Sequence, residues 1–166
     1  MSDLKIFPLT KDHISSVAEL EKICFPFDFW SEQAFEESLG SGSYIFLCAK
    51  SGGELIGYAG MYRVLDEAHI VNVAVAPGHR RQGVGEKLLS CLFDVARTDQ
   101  KSCPAKNYFL EVRKSNLAAR ALYKKLGFTE SGIRRGYYRS PVEDAVLMTR
   151  TEAEISNTPT QIEHGA

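Results

Sequence analysis

The sequence predicts an α/β protein with a single domain, in which a mixed β-sheet is covered by helices. Two observations predict this class. Short apolar strands follow one another directly in the first half of the chain, and strands alternate with helices in the second half. Successive strands usually pair antiparallel, whereas a strand–helix–strand unit places its two strands in parallel. The chain has 166 residues, which is enough to bury one core without disulfides or metal.

The first half of the chain predicts four strands and two helices. Recurring apolar residues at helical spacing predict a helix over residues 11–24. Ser31 can cap a second helix, with Glu32 in its first turn and Gly40 as its stop. Alternating or continuous apolar runs predict the strands, which are "LKIFPLT", "SYIFLCAK", "ELIGYAGMYRVL" and "AHIVNVAVAP".

The second half adds two helices and three strands. An apolar stripe predicts a helix that begins at Gly83, and "YFLEVR" predicts the fifth strand. The next helix starts at Ser115 or Asn116 and ends at Gly127. "TESGIRRGYY" and "DAVLMTR" predict two closing strands. We therefore expect a domain over residues 1–150, about seven strands, about four helices, and a flexible polar tail over residues 151–166.

Charge and composition exclude several classes of protein. Lys and Arg number 20 against 21 Asp and Glu, so no overall field favours nucleic acid or an anionic membrane. No apolar run approaches the ~20 residues of a membrane span, and the first residues lack the features of a signal peptide. The four cysteines lie far apart and no histidine has zinc-ligand spacing. We expect a cytoplasmic monomer or weak dimer without a metal.

The stretch "VAVAPGHRRQGVGEKLL", residues 73–89, joins the fourth strand to a helix through three basic side chains and two glycines. A helix N-terminus attracts anions, and glycine lets a phosphate approach the backbone. The alternative is that the glycines only permit a turn and the arginines form a solvated rim. The stretch lacks the G-x-x-x-x-G-K-S/T pattern of a nucleotide-binding P-loop.

The whole arrangement resembles a known family. V-x-V-x-P followed by R-x-x-G-x-G resembles the acyl-CoA signature of the GNAT superfamily of N-acetyltransferases, and Asn116–Phe128 resembles its N-x-x-A-x-x-L-Y-x-x-L-G-F helix. "IRRGYY", "EDAVLM" and "FPFDFWSEQAF" resemble the bacterial branch that acetylates the N-terminal alanine of ribosomal proteins. The resemblance implies the GNAT fold, with the fourth and fifth strands splayed apart, and acetyl-CoA as acetyl donor. The cofactor-binding residues that it implies are Val73, Ala74, Val75, Arg80, Arg81, Gln82, Gly83, Val84, Gly85, Glu86, Asn116 and Tyr123.

The resemblance also assigns the catalytic groups. It implies that Glu111 is the general base for the acceptor amine and that Tyr123 is the acid that protonates the coenzyme A sulfur. From the residues alone, a rim carboxylate paired with Arg113 or Lys114 is the favoured interpretation of Glu111, and a core aromatic is that of Tyr123. Asn116 can be a helix cap as well as a cofactor contact.

The acceptor is less defined by the sequence. Phe27, Trp30, Tyr137 and Tyr138 are candidate substrate-binding residues, although each could equally be core. His69, on the fourth strand, is interpreted as structural. The resemblance implies transfer to the N-terminal amine of a ribosomal protein, with small-subunit protein bS18 as the expected partner. The alternatives are an acetyltransferase of lysines or small amines, and an acyl-CoA-binding module without turnover.

Overall fold

The computed structural model describes residues 3–152, which form seven β-strands, four α-helices and two short 3-10 turns. The element order predicted from the sequence is confirmed. In chain order the elements are β1 (Lys5–Pro8), α1 (Ile14–Cys24), α2 (Glu32–Ser41), β2 (Tyr44–Ser51), β3 (Glu54–Val64), β4 (Glu67–Val75), α3 (Val84–Thr98), β5 (Asn107–Arg113), α4 (Leu117–Lys125), β6 (Thr129–Arg139) and β7 (Val142–Thr151).

The seven strands form one mixed sheet in the order β1-β2-β3-β4-β5-β7-β6. The β4–β5 pair is parallel, and the other five neighbouring pairs are antiparallel. The parallel pair follows from α3, because a strand–helix–strand unit returns the chain in the same direction.

The parallel pair is short. Glu67 to His69 of β4 pair with Asn107 to Phe109 of β5, and the register ends there. Both strands continue, β4 to Val75 on β3 and β5 to Arg113 on β7. The two strands therefore separate in the middle of the sheet, which confirms the predicted splay.

Two apolar cores cover the two faces of the sheet. Alternate residues of β2 divide between them, since Leu47 and Ala49 belong to the core with α3, whereas Phe46 and Cys48 belong to the core with α1 and α2. This division follows the two-residue period of a strand. The α3 stripe that enters the first core consists of Val84, Leu88, Leu89, Leu92, Phe93 and Ala96.

The element ends refine three predictions. Helix α2 continues through Gly40 and ends at Ser41. The next residue, Gly42, caps the helix with a φ of 74°, the left-handed conformation that glycine adopts easily. Asn116 is the residue that caps α4, since its side chain accepts a hydrogen bond of 3.1 Å from the N–H of Ala119. Strand β7 includes Thr151, one residue beyond the predicted domain boundary, and the rest of the predicted tail after residue 152 lies outside the described residues.

No helix within residues 3–152 combines the length and the apolar character that crossing a membrane requires.

Gly60 tests the packing between β2 and β3. A Cβ at this position would overlap the ring of Phe46, which is buried and packs against Phe35 and Trp30. We expect Gly60→Ala to lower the free energy of unfolding by about 1–3 kcal/mol, because a packed ring must move.

Urea denaturation of the folded protein measures this effect. Gly40→Ala is the matched control, because Gly40 lies in α2 with nothing within 4 Å of the added carbon. The control is expected to be neutral or stabilising by up to about 1 kcal/mol, as alanine favours a helix. Equal stability of the two variants would contradict the prediction.

Candidate active site

A cleft of about 780 Å³ lies between the diverging ends of β4 and β5. Its floor consists of residues 69–73 and 110–113, its sides include Asn116, Ala119 and Tyr123 of the α4 region, and its rims are residues 24–30 and 137–141. Separation of the two strands thus creates a cavity where a continuous sheet would have none.

The cleft collects most of the residues predicted for catalysis and acceptor binding. These residues are Phe27, Trp30, Val73, Glu111, Asn116, Tyr123, Tyr137 and Tyr138. They come from five different segments of the chain. The other predicted cofactor residues, Ala74, Val75 and Arg80 to Glu86, continue from the end of β4 to the start of α3, outside the residues that line the cleft.

Glu111 lies on the floor with its side chain 15% exposed. Its Oε2 is 2.6 Å from Nε2 of His69, and its Oε1 is 3.9 Å from Nη1 of Arg134. The pKa of the Glu111 carboxyl is lowered, chiefly by the hydrogen bond to His69 and also by the charge of Arg134, against the opposing effect of burial. At neutral pH this side chain is therefore a carboxylate.

The contact between His69 and Glu111 corrects two expectations. The alternative partner Arg113 instead donates hydrogen bonds to the carbonyls of Ser140 and Pro141. His69, interpreted from the sequence as structural, lines the cleft and contacts the proposed base. The parallel register explains the meeting, because His69 is opposite Phe109 and Glu111 is two residues further along β5 on the same face. Sequence reasoning had no signal for this register.

Tyr123 is buried on α4, with 8% of its surface exposed, and its ring packs against Phe128. Burial, and to a lesser extent neighbouring Tyr138, raises the pKa of the Tyr123 hydroxyl. The hydroxyl thus keeps its proton at neutral pH. The side chain is both a core aromatic and a cleft residue, so the two interpretations of this position are compatible.

The start of α3 provides a backbone cradle for an anion. Gly83 precedes the helix with a φ of 82°, and its position has no side-chain cap. The first intrahelical bond is donated by Lys87 to Gly83, so the preceding N–H groups of residues 84–86 lack helical partners. A Cβ added at Gly85 would lie at ordinary contact distance from the side chains of Val75 and Leu122. Such a cradle fits a pyrophosphate.

The side chains around this cradle are largely engaged within the protein. Arg80 donates its Nε–H to the carbonyl of Val75 at 3.0 Å, and Gln82 donates to the carbonyl of Gly78 at 3.2 Å. Glu86 is paired with Lys125 at 2.7 Å. The Arg80 contact ties the loop to the end of β4, and the unpaired backbone N–H groups of residues 84–86 remain as candidate anion donors.

The two rims of the cleft meet at Arg113. Its guanidinium is 3.5 Å from the carboxylate of Asp28, in the loop between α1 and α2, and stacks over the ring of Tyr138 at 4.2 Å. It also bonds to the β6–β7 turn through the carbonyl of Pro141. The Arg113 guanidinium thus contacts both of the loops that could bind an acceptor.

Three of the four candidate aromatics divide into two groups, and the fourth, Tyr138, lies under the guanidinium of Arg113. Phe27 and Tyr137 are exposed, with 73% and 43% of their surface accessible at the cleft. Trp30 also lines the cleft but packs against Phe35, Tyr44 and Phe46 in the core. Phe27 and Tyr137 are therefore free to contact a ligand, whereas Trp30 supports the wall.

A buried carboxylate supports this wall from behind. Glu21 of α1 is fully buried and accepts hydrogen bonds from the Tyr58 hydroxyl at 2.5 Å, the Asn72 amide at 2.9 Å and the Trp30 N–H at 3.3 Å. Burial raises the pKa of Glu21, and the bonds from Tyr58 and Trp30 oppose that rise. Glu21 thus joins α1 and the acceptor-side loop to β3 and β4.

Among residues 3–152, no group of three or more His, Cys, Asp or Glu side chains is placed to hold a metal ion.

The fold and the site together define an acetyltransferase. Residues 14–128 match the Acetyltransferase (GNAT) family, and the chain belongs to this family. It is an N-acetyltransferase, and within the family it resembles the bacterial enzymes that acetylate the N-terminal alanine of a ribosomal protein, as the sequence motifs predicted.

Two relatives, one of them compared by both sequence and crystal structure, illustrate the similarity. The N-alpha-acetyltransferase RimI of Mycobacterium tuberculosis is 37% identical over 153 residues, which cover 89% of this chain and 92% of that one. The ribosomal protein bS18-alanine N-acetyltransferase of Escherichia coli is 40% identical over 121 residues, covering 72% and 78% of the two chains. The crystal structure of the Escherichia coli enzyme superposes with a TM-score of 0.79 and 35% identity, covering 89% of this chain and 93% of that one.

Tyr58→Phe tests the buried network of Glu21. The substitution removes an O–H donor from a fully buried carboxylate while keeping the ring. We expect the free energy of unfolding at pH 7 to fall by about 1–3 kcal/mol, because a buried acceptor loses one of its hydrogen bonds in a desolvated site.

Thermal or urea unfolding measures the loss, and Tyr62→Phe is the control because Tyr62 lies on the same strand with 37% of its surface exposed. The control is expected to change stability by less than about 0.5 kcal/mol. A Tyr58→Phe variant as stable as the control would show that the network is unimportant.

Proposed function

We propose that this protein transfers the acetyl group of acetyl-CoA to the α-amine of an N-terminal alanine, with ribosomal protein bS18 as its acceptor in the cytoplasm. One observation supports the proposal most strongly. Glu111 and Tyr123, which the GNAT resemblance implies as base and acid, line one cleft although they come from β5 and α4. That cleft opens where β4 leaves β5.

The donor side follows from β4 and α3. Acetyl-CoA supplies an activated acetyl thioester when it is bound. The N–H groups of residues 83–86 are the proposed partners of its pyrophosphate, because they stand unpaired at the positive end of a 15-residue helix. The β4 edge that β5 leaves after His69 is the proposed seat of the pantetheine arm, where backbone groups can pair with an extended ligand.

Glu111 is the proposed base for the acceptor. A peptide α-amine has a pKa of about 7.7–8.0 and is mostly protonated at neutral pH, so it needs a group that binds the ammonium and removes one proton. The Glu111 carboxylate is ionised and lies at the floor of the cleft. The negative charge of Glu111 favours binding of the acceptor's ammonium group in the cleft.

Tyr123 is the proposed acid. Its hydroxyl stays protonated because burial disfavours the phenolate. It can therefore donate a proton to the sulfur of the leaving thiol. Asn116, at the start of the same helix, uses its side-chain oxygen as a cap, which leaves its amide N–H₂ as the group for a cofactor contact.

The acceptor assignment draws on the rims and on the relatives. The Mycobacterium tuberculosis name specifies an α-amine and the Escherichia coli name specifies bS18-alanine. Exposed Phe27 and Tyr137 on opposite rims offer apolar contacts to the residues that follow a short first side chain. This geometry suits the end of an extended peptide.

The acceptor is tested by incubating the protein with acetyl-CoA and matched peptides. One peptide has a free N-terminal alanine and acetylated lysines, and the other has a blocked N-terminus and a free lysine. We expect acetyl incorporation, read by mass spectrometry, only in the first. Modification of the lysine peptide alone would replace the proposed acceptor with a lysine, and cofactor binding without thiol release would indicate a binding module.

The acid is tested with Tyr123→Phe. We expect kcat to fall by about 100-fold, because one proton donor is lost, while the Kd for coenzyme A measured by calorimetry changes less than threefold. The ring stays in place against Phe128, so the fold should be retained. Wild-type turnover in the folded variant would remove Tyr123 from this role.

A further inference from the structure

We propose that Glu111 acts as a base through His69: the proton removed from the acceptor amine is taken up by the imidazole of His69, while the Glu111 carboxylate orients the ring and balances its charge. This inference deepens the proposed function and rests on it, because it concerns the same amine in the same cleft.

The contact itself shows the state of the pair. Nε2 of His69 and Oε2 of Glu111 lie 2.6 Å apart, and a carboxylate cannot approach a bare ring nitrogen at that distance. A proton therefore lies between them, and Nε2 is the donor. In the neutral ring the other nitrogen, Nδ1, then carries the free lone pair. Glu111 thus fixes the tautomer of His69.

The position of His69 suits proton exchange. Its side chain is 42% exposed, against 15% for Glu111, and both residues line the cleft. The ring can therefore meet the acceptor amine, directly or through one cleft water, and can later release a proton to solvent. The less accessible Glu111 is better placed to hold the ring than to exchange protons itself.

The surrounding charges decide where an added proton resides. Arg134 of β6 lies 3.9 Å from Glu111. The charge of Glu111 also contributes to the raised pKa of Tyr138 on β6. On β3, Tyr62 is the register partner of His69. Within these contacts Arg134 is the cation, and it faces the carboxylate, which makes protonation of Glu111 unfavourable. The imidazole is the remaining proton acceptor in contact with Glu111.

Energetics agree with this assignment. A carboxyl whose pKa is lowered from its ordinary value is a weak acceptor for a proton from an amine of pKa about 8, whereas the reference pKa of an imidazole, about 6.5, lies nearer to that of the amine. In the proposed step one N–H bond of the ammonium breaks and one N–H bond forms at Nδ1. The resulting imidazolium then gives that proton to water, which restores the neutral ring.

The test compares His69→Gln with wild type in the peptide assay described above, over pH 5.5 to 9. Glutamine keeps an N–H donor for Glu111 but cannot titrate. We expect kcat/KM to fall by about 100-fold at pH 7, and the acid limb of the wild-type kcat/KM profile to be lost. His13→Gln is the control, because His13 precedes α1, where it contacts Thr10 and Lys50, and should leave the profile unchanged.

A second variant separates proton transfer from support of the fold. In folded His69→Ala, added imidazole is expected to raise kcat/KM at least tenfold. The increase should follow the concentration of neutral imidazole. Wild-type kcat/KM in His69→Gln, or a lowered rate that keeps the wild-type pH profile and is not rescued, would overturn the inference. A wild-type protein that does not acetylate the α-amine peptide would instead reject the proposed function.

Discussion

The early end of the β4–β5 pairing is the constraint on which the rest of the site depends. Three residue pairs hold the two strands in parallel, and beyond His69 and Phe109 each strand keeps only its outer neighbour. The gap exposes one edge of β4 and opens the cleft above residues 110–113. It also directs β4 towards the start of α3, so one departure from regular pairing places a backbone edge, an anion cradle and a carboxylate together.

The rest of the structure stabilises this opening, which a sheet would otherwise tend to close. Glu21 joins β4 to α1 through Asn72, and Arg80 ties the loop before α3 to the end of β4. On the other side, Arg113 holds β5 to the β6–β7 turn and faces Asp28 of the opposite rim. Each of these contacts involves an ionisable side chain, and hydrogen bonds to ionised groups are stronger than those between neutral groups.

Local electrostatics, rather than net charge, distinguish the site. The chain is almost neutral, with a formal charge of -1, yet the cleft combines an ionised Glu111 with a protonated Tyr123, and a helix N-terminus lies beyond the end of β4. These are the complementary groups that an ammonium, a thiolate and a pyrophosphate require. The proposed role of His69 follows the same logic, because a carboxylate that is well stabilised as an anion binds a cation better than it retains a proton.

The sequence by itself determined the order of elements and the family, and it supplied the candidate site residues, because apolar periodicity is local and the glycine-rich and L-Y-x-x-L-G-F motifs are continuous in the chain. It predicted Gly40 as a helix end, where nearby Gly42 has the left-handed backbone instead. Only the tertiary structure decided the partner of Glu111. His69 and Glu111 are 42 positions apart, and their contact depends on strand register and on where the pairing stops, which no local pattern encodes.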